Sequence, residues 1–403
     1  MENFESLYNV NILPLYGNSR NYDYDKVITK KNNYPHQYSI NPRLKFEHNS
    51  FSIDPPGCKD ADDAFSVFKE NDKLFLAIHI ADPTEYIDLN SDLWSDIVDR
   101  VITHYPSNRD PIHLMPEHII NSASLSTNDD SFEYKNAISI ITEIDQDTFL
   151  PINNVILDYT MIKLNKENNL SYDEASTKYN DINEIKLGLK ISNALKNQRS
   201  KKTLGTKLSE INDLYPFFES SVINYKIDSN DVKNLKNMIG EFAIFANSFV
   251  GEYLKINLNG LGIFRTCDGN NINNNNEQTG QSLLDQIINK GITAEYLASI
   301  SSHDLVGTPV YCHFTSPIRR LADCICHYLL KSIKLSLQPP WSIDELDQFS
   351  KKCCDFTKKE RNIQYNDKKF RLLQLIHNLL EKGSNISIQF RISGYTGLFL
   401  NCI

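Results

Sequence analysis

The sequence predicts an α+β fold. Strand-like runs crowd residues 50–164, helical runs dominate from there to 381, and the last 18 residues return to strand alternation. Strands gathered before helices, and not alternating with them, indicate a sheet with helices packed against it in one large domain.

The elements follow from local pattern. SFSID at 50–54 reads as a short strand, and the PPG after it breaks the chain. AFSVF (64–68) and KLFLAIHIA (73–81) are strand-like runs joined by the turn-forming KEND, which makes a hairpin. Residues 90–103 read as a helix, 105–117 as a Pro-rich loop, and 136–145 and 153–164 as two further strands. Helical patterning then predicts 171–179, 183–198, 230–256, 281–289, 293–300, 317–336 and 342–381. The Asn-rich stretch 268–280 reads as a disordered surface insertion.

Composition bounds the class. The chain has 403 residues, 40% of them hydrophobic and 23% charged, enough apolar material for a large core. This excludes a wholly disordered or collagen-like chain. No apolar run approaches the ~18 residues of a membrane helix, and MENFESLYNVN lacks a signal-peptide pattern. The 8 cysteines are scattered and form no C-x-x-C pair, so neither a disulfide-linked partner nor a zinc site is expected. A cytoplasmic or equivalent reducing compartment follows as the expectation. The net charge of −9 speaks against a generic polyanion binder, although a locally basic channel can coexist with it.

Two segments carry chemistry. In I-D-P-P-G-C-K-D-A-D-D-A, Asp54, Asp60, Asp62 and Asp63 fall within ten residues. Carboxylates so crowded raise one another's pKa values. Hard divalent cations relieve that repulsion and can serve phosphodiester hydrolysis. A solvated acidic loop is the plainer reading, because Asp is a common turn residue. The stiff PPG and the apolar flanking strands count against it. The second segment is YCHFTSPIRRLADCICHYLLK at 311–331. Ser316 caps a helix opening on Pro317, and Arg319, Asp323 and His327 form a polar stripe along it. On this reading Asp323 holds Arg319, and Arg319 beside a helix N-terminus suits a phosphate. A salt bridge within a helical core explains the stripe equally well.

Taken together, these segments resemble the catalytic domain of the ribonuclease II (RNB) family of 3′→5′ exoribonucleases. The matching stretches are IDPPGCKDADDA (53–64), HIADPTEYI (79–87), YPSNRDPIHLMPE (105–117), LSYDEA (170–175), GEFAIFAN (240–247) and YCHFTSPIRRLAD (311–323), in family order. The resemblance implies a mixed sheet flanked by helices around a central RNA channel. It implies a catalytic domain at 48–383; the chain departs from the family pattern at either end, where an arm at 1–47 is expected in place of the usual cold-shock barrels and a truncated OB-type hairpin at 384–403. It implies hydrolysis of single-stranded RNA, processively and to 5′-mononucleotides, by two Mg²⁺ ions, with Mn²⁺ as the alternative.

The implied roles attach residue by residue. Asp54, Asp60, Asp62 and Asp63 are the metal ligands, and Asp62 is the one most tied to the chemistry. Arg319 engages phosphate, with Thr315, Ser316 and Arg320 in the same motif touching RNA. Tyr105 stacks on the terminal base, Tyr172 lines the channel, and Glu241 lies near the 3′ end. Taken alone, Tyr105 and Tyr172 read as packing residues, Glu241 as a satisfied structural carboxylate, and His79 and Asp82 as core and turn residues. Leu321 stands where the family usually has tyrosine, and QRSKKTLGTKL (198–208) offers no second aromatic for a base clamp. With the accessory barrels missing, a helper RNA-binding protein or complex is expected. The competing readings are an RNB-fold RNA-binding or scaffold protein that is catalytically weak or inactive, and a metal-dependent DNase.

Overall fold

The computed structural model describes residues 32–106, 110–127, 133–152, 154–200, 228–268 and 293–383, together with the backbone of strands at 214–219, 222–227, 392–396 and 399–402. The expected Asn-rich insertion after 268, the helix at 281–289 and most of 198–208 lie outside these residues.

A five-stranded mixed sheet forms the centre, in the order β1-β6-β5-β4-β3. Its strands are β1 (Leu44–Phe46), β3 (Asp63–Glu70), β4 (Lys73–Ala81), β5 (Glu133–Ile144) and β6 (Ile156–Leu164). The β3–β4 hairpin turns through Asn71 and Asp72, both with positive φ, as a tight hairpin requires. β1 joins β6 in parallel and the other pairs are antiparallel. The arm expected at 1–47 therefore contributes a strand, and Tyr38, Ile40 and Phe46 enter the core. A short parallel pair, β2 (Ser52–Asp54) with β7 (Asn169–Ser171), lies beside the sheet.

Helices cover this frame. They are α1 (Asp92–Arg100), α2 (Glu117–Ala123), α3 (Tyr172–Lys178), α4 (Asn183–Ser200), α5 (Asn230–Asn257), α6 (Leu321–Lys334) and α7 (Ile343–Glu381). Ser171 and Ser342 both form capping boxes, with Glu174 and Glu345, which satisfy orphan N–H groups at the starts of α3 and α7. α4 packs on α5 at Gly188, where a Cβ would stand 2.9 Å from Met238 Sδ. The remaining strands pair as β8 (Leu214–Glu219) with β9 (Val222–Ile227), β10 (Phe264–Thr266) with β11 (Glu295–Leu297), and β12 (Ile392–Thr396) with β13 (Phe399–Cys402). The last pair is the C-terminal hairpin expected from sequence.

Two helix expectations fail. Residues 293–300 do not form a helix: Glu295–Leu297 is a strand. Tyr296 pairs with Arg265 across the sheet, and the Cys354 thiol lies against its backbone N–H and carbonyl. Tertiary pairing overrides the local preference. The second failure is the start of the arginine helix. α6 begins at Leu321 with Arg320 as its cap, so Pro317, Ile318 and Arg319 form a turn ahead of it.

Polar groups are buried in matched sets. Under the sheet, Arg43 reaches Asp82 at 2.6 Å and Glu85 at 2.5 Å, and Lys331 reaches both at 3.0 Å. Burial alone would raise the Asp82 pKa, yet Lys331 and Arg43 hold it well below the usual carboxylate range. His79 is fully buried between Ser66 (3.1 Å) and Ser139 (2.7 Å), and burial lowers its pKa to about 3. Both residues are thus core groups, as their sequence positions indicated. Replacing Lys331 with Met leaves two buried carboxylates facing one arginine. Lys331→Met is expected to lose about 3–5 kcal/mol of stability, measured by urea unfolding at pH 7. A loss below 1 kcal/mol would contradict a matched buried network.

Candidate active site

The four aspartates are placed by separate anchors. β2 aligns Asp54 with Ser171 of β7, so Tyr172, the first residue of α3, starts beside it. After Asp54 the chain turns through Pro55-Pro56-Gly57-Cys58, closed by the Cys58 N–H donating to the Pro55 carbonyl at 3.1 Å. Gly57 has φ +77°, the conformation that the third position of a type II turn demands. Ala61 is then pinned on both sides: its N–H donates to Ser124 Oγ (3.1 Å) and its carbonyl accepts from Leu125 (2.9 Å). The Asp62 carbonyl accepts from Ala81 (2.8 Å), and Asp63 opens β3.

The arginine arrives from the far end of the sequence. Arg319 Nε donates to Asp62 Oδ2 and the Ile318 N–H donates to Asp62 Oδ1, each at 2.8 Å. Arg319 Nη2 also donates to Ser316 Oγ at 2.9 Å. The Arg319 side chain stays 43% exposed while Asp62 is 3% exposed. The loop bearing it is held from three directions. Asn247 on α5 accepts from the Phe314 N–H (2.8 Å) and donates to Tyr311 (2.9 Å) and Thr315 (3.3 Å). His327 meets the Phe314 carbonyl at 3.0 Å. Asp323 accepts from the Ser316 N–H and from Arg320, each at 2.8 Å. This corrects the expected stripe: Asp323 holds Arg320 and the loop backbone, and Arg319 is held by Asp62. The helix starts only after Arg320 because that residue is extended, with φ −139° and ψ 129°, and bridges to Ile102.

Tyr105 sits on the other flank. Its hydroxyl donates to Asp60 Oδ2 at 2.7 Å, and the ring remains partly open to solvent. Cys58 Sγ lies 3.5 Å from Asp60 Oδ1 and His113 Nδ1 3.8 Å from Asp60 Oδ2. A cavity of about 460 Å³ opens here, lined by Pro56, Lys59, Asp60, Tyr105, His113 and Asn121. Burial pushes the Tyr172 phenol pKa up, and the charges of Asp63 and Asp54 add to it. Glu241 is buried in an ion pair with Arg199, whose Nε donates at 3.1 Å, while Arg199 Nη1 donates to the Val306 carbonyl at 2.9 Å. Glu241 is therefore a satisfied structural carboxylate here. Asn247, Cys58, His113 and Arg199 also contribute; the first three lie within the motif stretches, which could have flagged them, and Arg199 lies outside every one of them.

The RNB domain family matches residues 44–335. The chain belongs to the RNB family. Among curated relatives, ribonuclease R of Ureaplasma parvum is 27% identical over 73% of the chain and 47% of its own length. The exosome complex exonuclease dis3 of Schizosaccharomyces pombe is 24% identical over 68% of the chain and 32% of its own length. The chain thus spans between a third and a half of these relatives. The fold matches Mycoplasma genitalium RNase R in complex with ribose methylated single-stranded RNA, with TM-score 0.73, 20% identity, and coverage of 90% of this chain and 62% of that one. It also matches yeast Ssd1, a pseudonuclease, with TM-score 0.65, 18% identity, and coverage of 85% and 46%.

The electrostatics of this RNB site are dominated by desolvation. Burial pushes Asp54, Asp62 and Asp63 each up to about 7; a neighbouring aspartate adds to it and Arg319 opposes it at all three. One guanidinium does not offset this many buried carboxylates. The donor set suits a hard divalent cation, being made of buried oxygens short of counter-charge. Among the described residues, however, no group of three or more His, Cys, Asp or Glu side chains is arranged to hold a metal ion. The expected four-carboxylate centre is therefore not formed in this side-chain arrangement. The reason is visible: both Asp62 oxygens are engaged by Arg319 and Ile318, and an Asp60 oxygen by Tyr105.

These shifts predict a pH dependence. A carboxylate whose folded pKa exceeds its unfolded value of about 4 costs the fold nothing below that value. The cost grows as the pH rises to about 7 and is constant above. The metal-free chain should lose Tm between pH 5 and pH 8. Asp63→Asn, which keeps the shape and removes a charge, should flatten that loss. Thermal unfolding in EDTA measures both, and equal slopes for the two proteins would contradict the assignment.

Proposed function

We propose that this chain is a divalent-metal-dependent 3′→5′ exoribonuclease. It acts on single-stranded RNA and releases 5′-mononucleotides, processively and by a two-metal mechanism, with Mg²⁺ preferred and Mn²⁺ the alternative. The observation that carries the reading is the union of the desolvated aspartates with Arg319, through Asp62, across 257 residues of sequence on an RNB fold.

The residues divide the work. Arg319 is locked at Nε and Nη2 and keeps an exposed edge that can donate to a phosphate oxygen. Asp54, Asp60 and Asp63, with Asp62, would hold the cations. When bound, these supply a nucleophilic water and polarise the phosphate. Tyr105 offers a ring face for a base, a sequence-tolerant contact, while its hydroxyl keeps Asp60 oriented. Asp323 and Asn247 fix the loop that carries Arg319, so the guanidinium needs no reorganisation to meet substrate. The domain division at 1–47, 48–383 and 384–403 belongs to the same reading.

Single-stranded RNA in the RNase R complex and the exosome association in the dis3 name support RNA as substrate and a helper protein or complex as partner. Free thiols at the seven described cysteines suit a reducing, cytoplasm-like compartment. Two observations favour a second reading, an RNB-fold RNA binder without turnover: among the described residues the side chains are not closed around a cation site, and a pseudonuclease shares the fold.

The decisive assay uses 5′-labelled and 3′-labelled oligoribonucleotides with Mg²⁺. The proposal expects mononucleotides at once from the 3′ label, progressive shortening of the 5′ label, and at least a ~10³-fold loss of rate in Asp62→Asn. Tight binding without product in Mg²⁺ or Mn²⁺ would establish the second reading.

A further inference from the structure

One short segment, Val101 to Tyr105, joins the two groups that face substrate in the proposed site. It leaves α1 at Val101, a β-branched residue with φ +65° and ψ −42°. Such a conformation is strained and persists only where the surroundings over-determine it. They do so here. On one edge the segment pairs antiparallel with the arginine loop. The Leu321 N–H donates to the Val101 carbonyl at 2.8 Å, the Thr103 N–H donates to the Arg319 carbonyl at 3.0 Å, and Ile102 lies opposite Arg320. On the other edge His104 exchanges both backbone bonds with Ile112, at 3.0 and 2.9 Å. The Leu114 N–H also donates to Thr103 Oγ1 at 2.9 Å. The residue that grips Arg319 and the residue that carries the tyrosine ring are thus Thr103 and Tyr105. Two residues of chain span at most about 7 Å, so these two points cannot move apart.

Tyr105 needs that support. Among the described residues its side chain is hydrogen-bonded only at the hydroxyl, to Asp60 Oδ2, an oxygen that the cations would also claim. The ring therefore has to be aimed from the backbone. The edge bonds hold the segment in its own plane, and the His104 side chain ties it to α7 across that plane. His104 Nδ1 meets Glu360 Oε2, over 256 residues of sequence. One turn further along α7, Gln364 Nε2 donates to Glu360 Oε1 at 3.0 Å. The Glu360 side chain is 5% exposed and that of His104 17%. Both Glu360 oxygens are engaged inside the protein, and the pair anchors the residue beside Tyr105 to a helix of 39 residues. Stability alone would be served as well by apolar side chains of similar volume. A directional bond fixes an orientation besides.

We propose that His104 and Glu360 are positioning residues for the nuclease. Their pair is a strut that aims the Tyr105 ring, so that the terminal base stacks in register with the phosphate engaged at Arg319. This rests on the RNA-substrate reading above. Neither residue needs to touch RNA; both act through Tyr105.

The test uses an oligoribonucleotide with 2-aminopurine at its 3′ end, whose fluorescence falls when the base stacks, bound to the full chain in EDTA. The wild type should quench it. Glu360→Ala keeps a strong helix former in α7 and removes the strut. It should lose most of the quenching, while the slope of log K against log[salt], which counts phosphate contacts, stays that of the wild type. Glu360→Gln, which still offers an oxygen to His104, should restore the quenching. With Mg²⁺, Glu360→Ala should lower kcat about 10²-fold, the scale of a misplacement by one ångström, with KM little changed. In a Tyr105→Ala background it should lower kcat no further. If Glu360→Ala does not fold, His104→Val breaks the same pair from the loop side, where extended backbone suits a β-branched residue, and the same readouts decide. Wild-type quenching in a folded variant, or effects of Tyr105→Ala and Glu360→Ala that simply multiply, would overturn the strut and leave the nuclease reading standing. A wild type that neither binds nor cuts RNA would remove the reading on which the strut rests.

Discussion

The site depends on one constraint: buried carboxylates concentrated in ten residues must share a single guanidinium. Asp54, Asp62 and Asp63 are each desolvated enough to ionise only near pH 7. Arg319 relieves this through Asp62, and it is delivered from the other end of the domain. Much of the surrounding structure secures that delivery. Asn247, Asp323 and His327 each bond to the loop between Tyr311 and Arg320, and Arg320 is also bridged to Ile102. The aspartate loop is fixed by Ser124, Leu125 and Ala81. Two rigid loops meet where either alone would carry an unfavourable charge.

The balanced network at Arg43, Asp82, Glu85 and Lys331 contributes to the same end. Lys331 lies on α6, whose first turn follows the arginine loop, and Asp82 follows β4, whose Ala81 holds Asp62. The network thereby ties the two halves of the site together beneath it. Such buried ion sets are costly to break, which suits a scaffold that must hold like charges together above.

The sequence made much of this legible, for identifiable reasons. The central strands alternate or run apolar, and Pro-Pro-Gly marks a turn that the structure forms at the expected place. The aspartates and Arg319 could be singled out because their chemistry is unusual and their motifs ordered. Relations between distant residues were hidden. Nothing local shows that Asp62, and not Asp323, receives Arg319, or that Arg199 neutralises Glu241. The strand at Glu295–Leu297 was hidden for the same reason, since its partner is Phe264–Thr266.

The Asp62–Arg319 pair is best tested by a double-mutant cycle in metal-free buffer. Asp62→Asn, Arg319→Gln and the double variant would be compared with the wild type by urea unfolding at pH 8. The structure predicts that the two substitutions couple by at least about 1.5 kcal/mol, because each single change strands the other group. Additivity within about 0.5 kcal/mol would show that the two side chains do not meet, and the site described here would not exist.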